Sequence, residues 1–425
     1  MAATVSNSRP LVAIGYGPRC TSLVELTRVA GALCDVTWLI DESIPEMIEM
    51  RGFLSRFGSV VNIEGRSAED IASDVSSPRT PDALVTFLDS DMVTFARVSE
   101  ILGVRFHSVD TARALTDKAY QRERLAAAGL DSPHCQVLSA EEITQGHVSP
   151  DAELGWPAVL KPRSSQGSYY TFLAKNGDHL DSLVKLIGVD CPEMILESYI
   201  PDDPLRQPGP YAAYVSVESI VAHGEVQHLA VTGRFPLAEN FRETGFFVPA
   251  ALSSRDESDA LKLAGSAIAA LNVLTGSLHT EIKFSADGPR IVEVNGRVGG
   301  GVAEMLSRAA GIDLLDITLR VALGEELKFT CPVPTEMIGY RFFLQPPPVS
   351  AVVANIEGLD ALSDYPGVDS ISVHQRPGAE LDWKDGSKNY ILAVVGTASK
   401  YHELQEVSRI INQVVKVSYI NIRLN

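Results

Sequence analysis

The stretch HTEIKFSADGPRIVEVNGRVGGG, residues 279–301, has the pattern of two strands joined by a tight turn. Small or apolar residues recur at every second position, at Thr280, Ile282, Phe284, Val292 and Val294. A period of two is typical of β-strands that bury one face. The pair Asp287-Gly288, followed by a proline, is a strong hairpin signal between the two runs. The stretch therefore predicts a β-hairpin with one apolar face and one polar face.

Folding the hairpin about Asp287 places Glu281 opposite Glu293 and His279 opposite Asn295. Directly opposed side chains share a face, about 5 Å apart at Cβ, and like charges there are destabilising. A dication between the carboxylates removes that cost, because Mg²⁺ takes oxygen ligands, usually one or two carboxylates plus phosphates. Arg297 on the same face adds a fork of donors for phosphate or carboxylate oxygens. The polar face predicts either a magnesium site or an ordinary solvated face, and a β-bulge would change the register.

The chain is long enough for several domains and carries a strong negative charge. Its 425 residues, 45% hydrophobic and 21% charged, are typical of a globular protein. The net charge of −18 and the lack of a basic stripe argue against a nucleic-acid partner. An anionic ligand would have to be bound by local lysine, arginine and backbone N–H groups.

The five cysteines are scattered, without a CxxC pair, at Cys20, Cys34, Cys135, Cys191 and Cys331. This pattern predicts reduced thiols, with neither a zinc site nor a disulfide framework. No apolar run approaches the ~18 residues of a membrane span, and no signal-peptide pattern is present. We therefore expect a cytoplasmic protein without a membrane partner.

Strands alternate with helices in the first quarter of the chain, which predicts a parallel sheet in an α/β domain. The predicted strands are Leu11–Gly15, Asp35–Ile40, Val60–Ile63 and Ala83–Leu88. The predicted helices are a run from Thr21, then Pro45–Phe57, Ala68–Val75 and Met92–Leu102. The turn Tyr16-Gly17-Pro18 lacks the GxGxxG pattern of dinucleotide binding, so an ordinary strand-to-helix turn is the better interpretation.

Two lysines stand beside segments that can approach phosphate. Lys118 opens a helical run to Ala128, where it could simply be solvated. Lys161 ends the predicted strand Trp156–Leu160 and precedes the loop 164–168, SSQGS, and a predicted strand Tyr169–Leu173. Backbone N–H groups and hydroxyls of such a loop can bind a polyphosphate, although taken alone it is more simply a polar hairpin loop.

The middle of the chain is predicted to be mixed, and the end mostly β. Glu243 lies in an aromatic-rich loop, 241–249, and if buried it would need a cation partner, such as a substrate ammonium. Predicted elements before residue 330 are strands Met194–Tyr199, Tyr211–Val221 and Glu225–Phe235 and helices Asp256–Leu274, Val302–Ala310 and Leu314–Leu323. Those after it are strands Gly339–Leu344, Ser370–His374, Tyr390–Gly396 and Tyr419–Leu424 and the helix Lys400–Val415. We interpret this last part as a scaffold that closes the site or as an oligomer surface.

Seven motifs, in order, resemble the ATP-grasp superfamily of carboxylate–amine ligases over about residues 110–325. They are Asp117-Lys118, Leu160-Lys161-Pro162, SSQGS at 164–168, LESYIP at 196–201, FRETGFFVP at 241–249, HTEIK at 279–283 and VEVNGRVGG at 292–300. The resemblance implies a mixed α/β and α+β ATP-grasp fold. Its parts would be an N-terminal Rossmann-like domain, 1–110, an ATP-grasp region, 111–330, with a lid at 135–200, and a small β-rich domain, 331–425.

The resemblance also implies roles for individual residues. ATP would be bound by Lys118, Lys161, Ser164, Ser165, Gly167, Ser168, Glu197, Ser198, Tyr199, Ile200 and Asp203, with Asp202 as the alternative ribose ligand. Two Mg²⁺ ions, or Mn²⁺ in their place, would be bound by Glu281, Glu293 and Asn295. The catalytic residues would be Arg297 and Lys161, and the substrate would contact Glu243, Arg297, Gly299 and Gly300.

Within the superfamily, the hairpin motif is most similar to dipeptide-forming L-amino-acid ligases and carnosine-synthase-like enzymes. Such an enzyme uses ATP to convert an amino-acid carboxylate into an acyl phosphate, which an amine then attacks, giving an amide, ADP and phosphate. The expected partners are small amino-acid substrates, and a homodimer is the expected assembly if the protein forms one. Two alternatives remain, an ATP-grasp carboxylase that activates bicarbonate and a nucleotide-binding module without turnover.

Overall fold

The protein is described by a computed structural model that covers residues 9–18, 20–130, 132–203, 205–206 and 209–421. The end of the predicted last strand, after Asn421, lies outside these ranges. No helix in the described ranges is long and apolar enough to cross a membrane.

The N-terminal part is a four-stranded parallel sheet with the strand order β3-β2-β1-β4. Its elements are β1 (Leu11–Gly15), α1 (Leu23–Leu33), β2 (Asp35–Ile40), α2 (Pro45–Leu54), β3 (Ser59–Asn62), α3 (Ala68–Val75), β4 (Ala83–Thr86) and α4 (Met92–Leu102). Residues of β1 and β2 are almost all buried, as expected for strands covered by helices on both faces. The predicted parallel α/β arrangement is confirmed.

The next part contains two helices and a four-stranded antiparallel sheet with the order β5-β8-β6-β7. Its elements are α5 (Val109–Ala114), α6 (Lys118–Ala127), β5 (Cys135–Val137), α7 (Ala140–Gln145), β6 (Ala158–Pro162), β7 (Phe172–Ala174), α8 (Gly177–Ile187) and β8 (Met194–Ser198). The sequence analysis began β7 at Tyr169, which is wrong. Tyr170 has a positive φ of 48° and donates its N–H to the Lys384 carbonyl, so the loop continues to Thr171.

The central sheet has eight strands in the order β13-β12-β9-β10-β11-β14-β18-β16. The first strands of this sheet along the chain are β9 (Tyr214–Ala222), β10 (Glu225–Arg234), β11 (Gly245–Val248), β12 (Gly276–Ser285) and β13 (Gly288–Asn295). Helix α9 (Ser254–Ala270) lies between β11 and β12 in the sequence, and α10 (Val302–Ala310) and α11 (Leu314–Ala322) follow β13. Helix α9 covers the apolar face of the hairpin β12–β13, where Ile282, Phe284 and Val294 are fully buried. Burying such a side chain stabilises the fold by about 1.5–3 kcal/mol.

The last part of the chain extends the central sheet and adds a three-stranded sheet, β17-β15-β19. Its elements are β14 (Ile338–Leu344), β15 (Ala351–Glu357), α12 (Leu359–Ser363), β16 (Val368–Val373), β17 (Glu380–Leu381), β18 (Leu392–Ala398), α13 (Tyr401–Val414) and β19 (Lys416–Asn421). Short 3₁₀ segments lie at Glu239–Phe241 and Trp383–Asn389. Strand β14 pairs with β11, so residues after 331 reach the middle of the molecule. The division into three domains stays a prediction.

Candidate active site

The hairpin brings the predicted polar residues together in the expected register. Glu281 lies opposite Glu293, and His279 lies opposite Asn295. A bulge after Glu281 then shifts the pairing by one residue, so that Ile282 faces Ile291. The sequence analysis placed Val292 on the apolar face, which is wrong, because Ile291 is the fully buried residue and Val292 is half-buried. The displaced Val292 carbonyl instead accepts a hydrogen bond from Arg122.

A buried cluster of charges surrounds Glu281. The Tyr214 hydroxyl donates to one carboxylate oxygen, and His279 Nε2 and Arg234 Nη2 lie 3.5 and 3.7 Å from the other. Burial alone would raise the pKa of Glu281, but the hydrogen bond from His279 and the charge of Arg234 lower it to about 2. Glu281 is therefore held as a carboxylate.

His279 is held by Glu218 on the neighbouring strand. Its Nδ1 lies 2.9 Å from Glu218 Oε2, and Glu218 also accepts hydrogen bonds of 2.8 Å from Ser216 and Thr232. Burial lowers the pKa of His279, but Glu218 raises it more, to about 9. The imidazolium and carboxylate form a buried pair beneath the predicted metal face, and this pair supports the ring that contacts Glu281.

Glu243 is half-buried and already has a cation partner. Its Oε1 accepts a hydrogen bond of 3.0 Å from Arg234 Nε, and Arg234 lies over the Tyr214 ring at 4.3 Å. The sequence analysis expected a cation partner for a buried Glu243, such as a substrate ammonium, and Arg234 is such a partner within the protein itself. A contact between Glu243 and a substrate stays a prediction. Burial nevertheless raises the pKa of Glu243 despite Arg234.

Lys118 connects the predicted metal face with the small-residue loop. It is the first residue of α6, whose N-cap Asp117 accepts a hydrogen bond from Tyr120 N. Its Nζ lies 3.1 Å from Glu293 and donates to the Ser165 carbonyl at 2.8 Å. Arg163 binds both oxygens of Asp117, at 2.8 and 2.7 Å, which fixes the start of α6 against β6.

Lys161 is buried in a three-residue charge cluster. Its Nζ lies 2.6 Å from Glu197 Oε2, and Arg122 Nε donates to Glu197 Oε1 at 2.9 Å. Burial would raise the pKa of Glu197, but the two cations lower it to about 2. The cluster links β6, β8 and α6 at the position where the sequence predicts ATP.

The predicted phosphate loop, residues 164–168, is closed against its neighbours. Ser164 Oγ donates to the Thr116 carbonyl at 2.8 Å, and Ser168 Oγ donates to the Phe241 carbonyl at 2.8 Å. Gly167 has a φ of 66° and its carbonyl accepts a hydrogen bond from Ser387 N. We refer to residues 164–171 as the flap.

The predicted adenine segment follows β8. Ser198 N donates to the His134 carbonyl, and Ile200 is buried. Lys283 Nζ donates to the Tyr199 hydroxyl at 3.1 Å and lies 3.3 Å from Asp202. The side chain of Asp203 is mostly buried and accepts a hydrogen bond of 2.9 Å from Leu205 N, whereas that of Asp202 is about half exposed. The choice between the two as ribose ligand stays a prediction.

Arg297 joins the hairpin to the N-terminal part. Its Nε and Nη2 lie 2.8 Å from Asp89 Oδ2, and Nη2 also donates to Gln166 Oε1 of the flap at 3.4 Å. Gly300 and Gly301 line the adjoining cavity. Gly299 instead packs against His279, where an added Cβ would lie 2.4 Å from Nδ1.

A cavity of about 870 Å³ connects these groups. Its lining includes Glu281, Glu293 and Arg297 from the hairpin side, Gly167 from the flap and Glu243 from β10–β11. Such a volume is typical of a site for small-molecule ligands. The structure therefore brings part of the predicted site around one cavity. Its lining contains Glu243, Glu281, Glu293, Arg297, Gly300 and the flap residues Gly167 and Ser168. The predicted residues that do not line it are Lys118, Lys161, Ser164, Ser165, Glu197, Ser198, Tyr199, Ile200, Asp203, Asn295 and Gly299.

The site also contains residues that the sequence analysis missed. They are Asp89, Arg122, Tyr214, Glu218 and Arg234. The sequence contained a signal for two of them, Glu218 and Arg234. Ser216 and Glu218 on β9, and Thr232 and Arg234 on β10, are polar residues two apart in otherwise apolar strands, which indicates one polar patch on a shared face.

The donor atoms fit a magnesium ion that is coordinated partly by the protein and partly by phosphate oxygens. Two opposed carboxylates and the Asn295 amide are oxygen donors of the kind that Mg²⁺ prefers. Within the described ranges no group of three or more His, Cys, Asp or Glu side chains could hold a metal ion. Substrate oxygens would thus complete the coordination, and the assignment of Glu281, Glu293 and Asn295 stays a prediction.

Comparison with known proteins identifies the domain. Residues 115–301 match the ATP-grasp domain family. An uncharacterized protein of Sinorhizobium fredii is 26% identical over 67% of this chain and 57% of its own length. An L-arginine-specific L-amino acid ligase of Bacillus subtilis is 21% identical over 78% of this chain and 79% of its own length. The chain thus spans little more than half of the first relative and most of the second.

Solved structures share the whole fold. An L-amino acid ligase from Bacillus licheniformis superimposes with a TM-score of 0.79 at 19% identity, covering 98% of this chain and 100% of the other. The biotin carboxylase domain of Hydrogenobacter thermophilus 2-oxoglutarate carboxylase, solved with MgADP and bicarbonate, gives 0.66 at 16% identity, covering 98% and 92%. Residues 115–301 thus form an ATP-grasp domain, and the described chain as a whole shares the fold of these solved structures.

Proposed function

We propose that the protein is an ATP-dependent ligase that forms an amide between an amino-acid carboxylate and an amine, the amine coming from a second amino acid. The reaction would convert the carboxylate into an acyl phosphate and release ADP and phosphate. The observation that carries the proposal is the shared cavity, in which Glu281, Glu293 and Arg297 meet the flap and Glu243. The similarity to an L-arginine-specific L-amino acid ligase supports the same class of reaction.

The first step needs a carboxylate held beside the terminal phosphate of ATP. Mg²⁺, held by Glu281, Glu293 and Asn295, would supply charge neutralisation at the phosphate oxygens. Asp89 binds Nε and Nη2 of Arg297 and so orients the guanidinium. Arg297 lines the same cavity, and its other N–H groups, which bind Val298 and Gln166 here, can hold the carboxylate and the transferred phosphate instead. These residues position the reactants, which is the main task in phosphoryl transfer.

The lysines and the flap would hold the nucleotide. Lys118 lies between Glu293 and the Ser165 carbonyl, so it can reach a phosphate bound between the metal face and the flap. Lys161 and Glu197 lie at the junction of β6 and β8, where Ser198, Tyr199 and Ile200 would read the adenine through backbone groups. Asp203 would hold the ribose. A closed flap excludes water and protects an acyl phosphate from hydrolysis.

The second step needs an amine directed at the acyl carbon. Glu243 lines the cavity, and its Oε1 is bound to Arg234, which leaves Oε2 as the acceptor for a substrate ammonium. Arg297 would stabilise the charge that develops on the acyl oxygen. The ammonium first gives a proton to Glu243, and the freed amine nitrogen attacks the acyl carbon. The carbon–oxygen bond to phosphate then breaks, and the departing phosphate takes the second proton from the new amide nitrogen.

The experiment measures ADP release by the full chain with Mg²⁺, ATP and amino acids supplied singly and in pairs. We expect release to require a free carboxylate with an α- or β-amine and to rise when a second amine is added. The amide should appear by mass spectrometry in proportion to ADP. Release that depends on bicarbonate and ignores amino acids would instead assign a carboxylase. Nucleotide binding without release under any of these conditions would assign a binding module.

A further inference from the structure

The 3₁₀ segment Trp383–Asn389 lies between the flap and the loop that carries Glu243. It belongs to the last part of the chain, which the sequence analysis interpreted as a scaffold that closes the site or as an oligomer surface. Within the segment Gly386, Ser387 and Asn389 are buried, which is unusual for a connection between two strands. We call residues 383–389 the clasp.

One side of the clasp binds the flap. Ser387 N donates to the Gly167 carbonyl at 2.7 Å, and Tyr170 N donates to the Lys384 carbonyl at 2.9 Å. The ring of Trp383 packs edge-on against Phe172 of β7, with 5.5 Å between centroids. Two backbone hydrogen bonds and an aromatic contact therefore hold the flap in the position seen here.

The other side of the clasp binds the Glu243 loop. The Ser387 hydroxyl accepts a hydrogen bond of 2.9 Å from Glu243 N. Gln345 at the end of β14 donates to both the Glu243 carbonyl, at 2.6 Å, and the Ser387 carbonyl, at 3.1 Å. Ser387 is thus bonded to the flap through its N–H and to the Glu243 backbone through its side chain.

Gly386 makes this close approach sterically feasible. It has a φ of 69°, which an L side chain rarely adopts, and an added Cβ would lie 2.3 Å from the Gly167 carbonyl oxygen and 2.5 Å from Ser168 C. The contact is with backbone, which cannot rotate away as a side chain can. A side chain at residue 386 is therefore incompatible with the closed flap.

We propose that Ser387 is a positioning residue that couples flap closure to the placement of Glu243. The proposal rests on the ligase function proposed above. When the Glu243 loop is in place, it orients Ser387 so that the Ser387 N–H can bind the flap. The closed flap then excludes water from ATP. When the Glu243 loop is displaced, the flap loses its hydrogen bond from Ser387 and opens. Water can then hydrolyse an acyl phosphate to the free carboxylate and phosphate.

The proposal is tested by the ratio of ADP released to amide formed. Ser387→Ala removes only the acceptor for Glu243 N, and we expect a ratio about two- to tenfold above that of the unaltered chain, the range for one lost hydrogen bond. Gly386→Ala should raise the ratio further because it displaces the flap itself. A merely structural role for Ser387 would lower the amount of active protein without changing this ratio.

Two matched controls separate coupling from backbone strain. Gly378→Ala has the same left-handed strain, at a φ of 93°, but the new Cβ meets nothing within 4 Å. Ser363→Ala removes an exposed hydroxyl in α12 that bonds only to the Asp360 carbonyl. Both should keep the original ratio. An unchanged ratio in Ser387→Ala would overturn the proposal, whatever Gly386→Ala does.

A second measurement remains informative if the ligase function itself fails. Trp383 fluorescence should change when the full chain binds a non-hydrolysable ATP analogue with Mg²⁺, because the ring contacts Phe172 beside the flap. The Trp383→Phe variant gives the fluorescence change that comes from the other two tryptophans, Trp38 and Trp156. We expect Gly386→Ala to lose the change and Gly378→Ala to keep it. An equal response in these two variants would show that the clasp does not hold the flap.

Discussion

At the scale of single residues, the two carboxylates of the hairpin have different surroundings. Glu281 contacts Tyr214, His279 and Arg234, whereas Glu293 contacts Lys118. The cations offset the repulsion between the carboxylates in the folded protein, since a buried carboxylate needs a charged or hydrogen-bonding partner. Glu281 is therefore held as a carboxylate, and Glu293 has a cation partner in Lys118.

We expect Glu293→Gln to lower ADP release by about 100-fold or more, because a lost ligand should cost at least as much as a lost second-sphere partner. The fold should persist, since the amide can still accept from Lys118 and one of two opposed charges is removed. The melting temperature should shift by no more than about 4 °C. Glu380→Gln, at an exposed strand residue, is the control. Near-normal Mg²⁺-dependent turnover would exclude Glu293 as a ligand.

Glu243→Ala should raise KM for the amino acid much more than KM for ATP, because Glu243 would touch only the amino acid. Arg234 would keep Glu281 as a partner, so the pocket need not collapse. Steady-state kinetics with each substrate varied in turn provide the measurement. Glu239→Ala changes an exposed carboxylate in the adjoining 3₁₀ segment and should change neither KM. Equal changes in the two KM values would return Glu243 to a purely structural role.

At the scale of elements, charge clusters join strands and helices that local sequence could not relate. Arg122 on α6, Lys161 on β6 and Glu197 on β8 form one such cluster. Removing one member of a buried ion cluster is costly because the remaining charges lose their compensation. The cluster therefore fixes the lid sheet to α6, which also carries Lys118.

The cluster predicts a pH dependence of stability. The pKa of Glu197 falls from 4.5 to about 2 on folding, so its contribution is present above pH 4.5 and is lost as the pH falls through 2. By pH 3 the loss should amount to about 2 kcal/mol in the free energy of unfolding. Urea titrations between pH 5 and pH 3 should show a steeper fall for the unaltered chain than for Glu197→Gln. Equal slopes would show that Glu197 titrates normally.

At the scale of the whole molecule, the site is assembled from all parts of the chain. The N-terminal part supplies Asp89 to Arg297, the lid supplies the flap, the hairpin supplies the carboxylates, and the last part supplies the clasp. The apolar core likewise joins α1 of the N-terminal part to α10 and α11. The site thus depends on how these parts are held relative to one another.

The pair Asp89–Arg297 tests that dependence. We expect Asp89→Asn to lower the free energy of unfolding by about 1–3 kcal/mol and to lower turnover, because the Arg297 guanidinium loses a charged partner in a mostly buried setting. Asp74→Asn breaks an exposed pair with Arg66 and should change stability by less than about 1 kcal/mol. Chemical denaturation and ADP-release assays on both variants provide the comparison. Indistinguishable variants would mean that Asp89 does not orient Arg297.

Local pattern and motif order determined most elements, the ATP-grasp domain and the pairing of Glu281 with Glu293. Alternation and turn residues act over a few positions, so they can be read directly from the chain. Only the tertiary structure decided the bulge that buries Ile291 and the partners of Glu243, Arg297 and Lys161. It also decided that residues 383–389 meet the flap. These contacts join residues far apart in sequence, and nothing in a local period indicates which distant strand will supply the opposite charge.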